Sequence, residues 1–154
     1  MTERQLQLFG SRRQRGIAVD YSPSEFEFQC SVADLLRQWA KPTWQWTAIP
    51  LGEERPAEYR NGKRVSFAGE RLKRQGVQRG WPDLVLIAPK GHPRAGVAHF
   101  LELKSKSGRL SEEQDAFRLW CLLNGLPHSV ARDVDEVIAK LGEWGVWRGV
   151  VRRS

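Results

Sequence analysis

An aspartate opens the apolar run Asp83-Leu84-Val85-Leu86-Ile87, and a Glu-x-Lys pair closes the run Phe100-Leu101-Glu102-Leu103-Lys104. If these runs are neighbouring strands, two carboxylates and one ammonium meet at one point. Two carboxylates hold a hard divalent cation, and a lysine beside them orients a water or steadies charge on a phosphate. That is the minimum set for metal-assisted cleavage of a phosphodiester. Side chains repeat every two residues along a strand, so Phe100, Glu102 and Lys104 share one face while Leu101 and Leu103 share the other. Charges spaced this way within apolar strands need a partner or an ion. A Pro-Asp pair alone also suits a turn, and Glu-x-Lys alone also suits an exposed ladder pair. It is the combination that points to a site.

The elements that must position these residues are legible around them. Residues 1–21 read as a flexible basic arm carrying Arg12, Arg13 and Arg15, and residues 22–154 as one domain. In Ser22-Pro23-Ser24-Glu25, Ser22 is the expected N-cap, Pro23 takes N1 and Glu25 closes a capping box at N3. The helix should run to about Ala40, where Lys41-Pro42 stops it. Phe26, Cys30 and Ala33 with Val32, Leu36 and Trp39 form its expected apolar stripe. Trp44 to Ile49 reads as a strand and Pro50 to Val65 as a charged, turn-rich stretch containing Asn61-Gly62. Ser66 is the expected cap of a short basic helix from Phe67 to Gln75. Asp83 to Ala88 and Val97 to Lys104 are the strongest strands. A second capping box, Ser111 to Gln114, opens a helix to about Leu123. Pro127 to Ala131 reads as a strand, Val134 to Trp144 as a helix and Trp147 to Val151 as an edge strand. The order helix-strand-strand-strand-helix-strand predicts an α/β fold, a mixed central sheet flanked by helices.

Bulk properties narrow the partners. Lys and Arg number 25 against 18 Asp and Glu, a net charge of +7 that favours a polyanion, nucleic acid first. An anionic membrane surface is the weaker candidate, since no long basic amphipathic helix is present and no apolar run approaches membrane-spanning length. The first 16 residues carry no apolar signal core, so the expected location is the cytoplasm. Cys30 and Cys121 lack metal-type spacing and read as small core residues, and His92, His99 and His128 are scattered. Of the 7 tryptophans, Trp39, Trp120 and Trp144 fall on helical apolar stripes and Trp44, Trp46 and Trp147 on strands. Trp81 alone is a candidate for stacking on a base. Arg60, Lys63, Arg64, Arg71, Lys73, Arg74 and Arg79 precede Asp83, and Lys106 and Arg109 follow Lys104. About half of such a charge run is simply a solvated face. Arg64, Arg71, Lys73, Arg74, Arg79, Lys106 and Arg109, with Trp81, are the expected DNA contacts, gripping backbone and not reading sequence.

Gly80-Trp81-Pro82-Asp83-Leu84, Phe100-Leu101-Glu102-Leu103-Lys104, Gly108-Arg109-Leu110-Ser111-Glu112-Glu113-Gln114 and the helix opening Glu25-Phe26-Glu27-Phe28-Gln29 together resemble the virus-type replication-repair nuclease (VRR-NUC) domains of the PD-(D/E)XK superfamily, of phage and prophage type. The likeness spans about residues 25–145. It implies a restriction-endonuclease-like core and a Mg²⁺- or Mn²⁺-dependent deoxyribonuclease. Asp83, Glu102 and the backbone carbonyl of Leu103 would be metal ligands, and Lys104 would position the attacking water. Gln114 would face the same cleft, although it is also the N3 residue of its capping box. A first-helix glutamate typically completes such sites. Glu25 already has the Ser22 box to explain it, so Glu27 is the expected site residue. Trp81 is bulkier than the residue the family often carries there, which bears on substrate fit.

The resemblance implies an endonuclease acting on branched, flap or junction DNA in phage or prophage replication and repair, with a homodimer among the expected states. A non-catalytic nucleic-acid-binding module on the same fold is the alternative reading. Separately, Gln5-Leu6-Gln7-Leu8-Phe9 resembles the bacterial sliding-clamp-binding motif, which implies clamp docking through Gln5, Leu6, Leu8 and Phe9. Exposed Leu-x-Leu-Phe otherwise costs solubility unless it folds back onto the domain.

Overall fold

The structure, a computed structural model, describes residues 24–50, 58–65 and 67–149, with the backbone alone described at 58–60, 63–65, 67 and 68. The arm with its Gln5–Phe9 peptide, the Ser22-Pro23 pair, the Ser66 cap and the end of the expected last strand at Val150 and Val151 lie outside the described residues.

In chain order the elements are α1 (Glu25–Trp39), β1 (Gln45–Ala48), β2 (Glu58–Arg60), β3 (Lys63–Val65), α2 (Phe67–Arg74), β4 (Leu84–Ile87), β5 (Ala98–Leu103), α3 (Glu112–Leu123), β6 (His128–Ala131) and α4 (Val134–Glu143). The central sheet has the order β1-β4-β5-β6, antiparallel except for the parallel β5–β6 pair. It is a mixed sheet flanked by helices. α1 and α4 cover one face, while α3 lies on the other, reaching Glu102 through Gln114 and Phe100 through Phe117.

Strand periodicity decides what each face holds. Leu84 and Leu86 of β4 and Leu101 and Leu103 of β5 turn to α1 and α4, where they meet Phe28, Val32, Leu36, Val137 and Leu141 in one apolar core. β5 is central and buried on both faces, so Phe100 and Glu102, which point to α3, are also shielded from water. His99 is buried on the core face, and its Nδ1 lies 3.0 Å from the Val97 carbonyl. Trp44 and Trp144 meet the His99 ring edge-on at 5.2 and 5.1 Å, and burial lowers its pKa.

Several expectations need correction. α1 begins two residues later than its first box predicts. Ser24 is the N-cap: its hydroxyl accepts from the Glu27 N–H (3.2 Å), and the Glu27 carboxylate accepts from the Ser24 N–H (2.9 Å). Ser22…Glu25 and Ser24…Glu27 are overlapping boxes of the same pattern, and the second is the one used. The buried stripe of α1 is Phe28, Val32 and Leu36, at a spacing of four. Phe26 and Cys30 are exposed and Trp39 is 40% exposed, because a helix against a sheet buries a narrower stripe than its apolar content suggests. Trp120 is likewise 52% exposed. The stretch read as turn-rich contains the hairpin β2–β3, whose Asn61 (φ 51°) and Gly62 (φ 72°) are the left-handed pair of a tight two-residue turn. The expected last strand reduces, among the described residues, to one antiparallel bridge between Ala40 and Trp147.

Candidate active site

The antiparallel register that pairs Leu84 with Leu101 sets Asp83, one step before β4, opposite Glu102. β4 ends there, so the Leu103 N–H has no strand partner on that side, and the Asp83 carboxylate takes its place at 2.7 Å. N–H and C=O of one strand residue point to the same edge, so the Leu103 carbonyl opens beside Asp83 as well. The turn before Asp83 is held from two sides. Pro82 is buried, and Gly80 has φ 86° with its backbone tight against the first turn of α3. A Cβ at Gly80 would lie 2.5 Å from the Glu113 carbonyl oxygen. The turn that aims Asp83 is therefore locked to the helix that carries Gln114.

Glu102 is 2% exposed. Its Oε1 receives the Lys104 ammonium at 3.1 Å and the Gln114 amide at 2.6 Å. The capping box of α3 decides which end of that amide faces Glu102. Gln114 Oε1 accepts from the Ser111 N–H at 2.9 Å, which leaves Nε2 to donate. Gln114 thus serves the helix start and the site together. Burial first, and then the neighbouring Asp83 charge, push the Glu102 carboxyl up to about 7 in spite of Lys104. Burial also raises Asp83, outweighing the Leu103 N–H and Lys104. Two shielded carboxylates side by side hold negative charge that one ammonium does not offset.

With Glu27 tied to the N-cap, Glu25 is the first-helix glutamate that reaches toward this point, the reverse of the capping assignment made from sequence. Its Oε1 lies 3.5 Å from the Ser105 N–H, a long contact, and its charge raises the pKa of both Asp83 and Glu102. Among the described residues, no three His, Cys, Asp or Glu side chains form a ready-made metal cluster. What Asp83, Glu102 and the Leu103 carbonyl offer is an oxygen donor set, the kind Mg²⁺ takes through one or two carboxylates while keeping waters. The donors and their uncompensated charge fit such an ion.

Arg71, Lys73, Arg74, Arg79, Lys106 and Arg109 are all exposed, and Arg64 belongs to β3, where only the backbone is described. Arg132 is a residue that the sequence reading missed. Its guanidinium donates to the carbonyls of Ser105 (3.1 Å) and Gly108 (2.5 Å), fixing the turn that follows Lys104. Parallel pairing of Leu103 with Ala131 brings it there, and no local motif signals that. No helix among the described residues is long and apolar enough to cross a membrane.

A family model for the VRR-NUC domain matches residues 34–134. No curated protein matches the chain. A solved structure titled "VRR_NUC domain protein" is similar in fold, with a TM-score of 0.56 and 19% identity, over 80% of this chain and 88% of that one. The family match covers well over half of the chain and includes the Asp83 turn, β5 and the Gln114 helix, so this chain belongs to the VRR-NUC domain family, a nuclease-type family.

Proposed function

We propose that the chain is a Mg²⁺- or Mn²⁺-dependent deoxyribonuclease that hydrolyses phosphodiester bonds, with branched, flap or junction DNA as its substrate class. The observation that carries this reading is the buried Glu102 with the half-buried Asp83 beside it and Lys104 at 3.1 Å from Glu102. Asp83, Glu102 and the Leu103 carbonyl would hold the cation. When bound, it supplies charge neutralisation at the phosphate and acidifies water. Lys104 keeps an ammonium beside the point of attack and donates to the attacking water or to the phosphate oxygen on which charge builds. Glu25, in place of Glu27, is the carboxylate that accepts a hydrogen bond from water at the mouth. Gln114 holds Glu102 in place through its amide. Water forms the new bond to phosphorus, and the leaving oxygen departs on the opposite side. Arg71, Lys73, Arg74, Arg79, Lys106 and Arg109 line the approach as backbone contacts.

The test compares wild type with Asp83→Asn and Lys104→Ala on linear, flapped, splayed and four-way DNA, with Mg²⁺, Mn²⁺ and chelator. Both variants should lose at least about 100-fold in cleavage rate while remaining folded and binding DNA nearly as wild type does. Cleavage that survives both changes, or is indifferent to chelator, refutes the proposal. Salt-sensitive binding with no turnover by wild type would favour the non-catalytic module.

A further inference from the structure

Three aromatic rings form a row over the strand that carries Glu102. Trp81 lies two residues before Asp83 and is 41% exposed, and its ring centroid is 4.9 Å from that of Phe117 at a tilt of 41°. Phe117 in turn lies 6.1 Å from Trp120, at 32°. Beneath them Phe100, only 5% exposed, meets Phe117 edge-on at 5.1 Å and Trp81 edge-on at 6.1 Å, so the row rests on a fixed floor. Phe100 precedes Glu102 by two residues on the same strand face, a step of about 6.8 Å. That is close to one nucleotide of extended backbone. The floor of the row is therefore one strand step from Glu102, about the length of one nucleotide, and the row runs along α3 from Phe117 to Trp120.

We propose that Trp81, Phe117 and Trp120 form a stacking platform for unpaired nucleobases next to the scissile phosphate, so that the preferred DNA carries a single-stranded stretch at the cut. This rests on the nuclease reading and names the feature of the substrate that the site would select. Charge favours nucleic acid as the occupant. Arg118, which follows Phe117 in α3, has a side chain 42% exposed and paired with Asp115 at 2.7 Å, and the exposed Arg79, Lys106 and Arg109 lie within a few residues of Trp81 and Lys104 in the chain. Aromatic faces beside guanidinium and ammonium groups are how single strands are held, bases on the rings and phosphates on the cations. A duplex keeps its bases stacked on each other and has no free ring to offer.

The experiment uses the Asp83→Asn protein in chelator, so that binding is read without cleavage. Labelled single-stranded, splayed and blunt duplex DNA are titrated by anisotropy, with intrinsic tryptophan quenching as a second signal. Trp81→Leu and Trp120→Leu should each weaken single-stranded and splayed DNA by about 5- to 30-fold, leave blunt duplex within about twofold and reduce the quenching, while Trp120→Phe restores most of the affinity. Equal losses on duplex and single strand, or no loss on either, overturn the platform. A Trp120→Leu protein that loses affinity for every DNA and sediments as a smaller species would assign the face, with its neighbours Leu119 and Leu123, to a second copy of the chain. If wild type cuts nothing but the Trp→Leu changes still weaken single-stranded DNA and spare duplex, the nuclease reading fails and the platform stands.

Discussion

Replacing Gln114 by glutamate keeps one of its two bonds and inverts the other. A glutamate at N3 still accepts from the Ser111 N–H, so the start of α3 is preserved. The donor to Glu102 is lost, and an acceptor takes its place at the site of the 2.6 Å bond. A hydrogen bond to a charged acceptor is worth about 1.5–3 kcal/mol, and a capping interaction about 1 kcal/mol. Gln114→Ala should therefore cost about 2.5–4 kcal/mol, Gln114→Glu about 1.5–3 and Ser111→Ala about 1. In rate the order changes. Gln114→Glu and Gln114→Ala both leave Glu102 without its amide donor, and its pKa, already about 7, rises further. The cation must then displace a proton from Glu102 to bind, so at neutral pH and subsaturating Mg²⁺ single-turnover cleavage should fall by about 10- to 100-fold. Raising the pH to about 8.5 should return part of that loss in Gln114→Ala, because the carboxylate is regained. Ser111→Ala should stay within about threefold of wild type. Urea denaturation and single-turnover rates on one panel of proteins decide the matter. A Gln114→Glu protein that cleaves like wild type, or a Ser111→Ala protein as slow as Gln114→Ala, refutes the division of labour.

The two first-helix glutamates should separate in the same way: Glu25→Gln is expected to slow cleavage about tenfold or more with little change in melting, while Glu27→Gln costs up to about 1 kcal/mol in stability and leaves the rate nearly intact. The reverse result restores Glu27 to the site. Gly80→Ala adds a left-handed strain of about 1–2 kcal/mol to a clash with the Glu113 carbonyl worth about 1–3, so denaturant titration should show a loss of about 2–5 kcal/mol; a cost below about 1 would mean the turn is free to move. In metal-free protein, stability should carry two opposed pH slopes. Glu102, raised from 4.5 to about 7, makes stability fall as pH climbs through that range, and Asp83 acts in the same sense. Burial and Arg118 lower His128 from 6.5 to about 4, so stability falls as pH drops through that range, with His99 in the same sense. Glu102→Gln should leave a profile that rises with pH between about 4 and 6.5, and His128→Phe one that falls between about 4.5 and 7; chemical denaturation at stepped pH reads both, and profiles unchanged from wild type count against these assignments.

What could be read in advance follows from which forces are local. The strand that carries Glu102 and Lys104 was legible because alternation along an apolar run is a local pattern, and the α3 box was legible because Ser111 and Gln114 are three residues apart. Which first-helix glutamate closes the capping box was not, since two boxes overlap by two residues and nothing local ranks them. The exposed Phe26, Cys30, Trp39 and Trp120 were misread for a related reason. Each lies on an apolar helix, but how wide a stripe the core accepts is set by the sheet beneath it. The hairpin β2–β3 had its signal in Asn61-Gly62, but its flanking residues, Glu58 to Arg60 and Lys63 to Val65, lack the apolar alternation that marks a half-buried strand. Arg132 depends on the parallel partner of β5, which no spacing in the sequence records.

Asp83 shows how closely scaffold and chemistry are joined, and why the choice of variant matters. Its carboxylate closes the ladder where β4 ends, so it is a hydrogen-bond acceptor for the Leu103 N–H before it is anything else. Alanine at this position would leave that amide without its acceptor, at a cost of about 1–3 kcal/mol. It would also relax the end of β5 from which Glu102 and Lys104 project. A loss of cleavage in Asp83→Ala would therefore say little about the carboxylate charge. Asparagine keeps a carbonyl oxygen for the amide and removes the charge. Asp83→Asn also relieves the repulsion that raises Glu102, so in metal-free protein it should melt no lower than wild type, and above neutral pH somewhat higher. An inactive Asp83→Asn protein that is as stable as wild type or more so separates the charge from the strand end; an inactive one that melts well below wild type does not, and would show that the acceptor alone was insufficient.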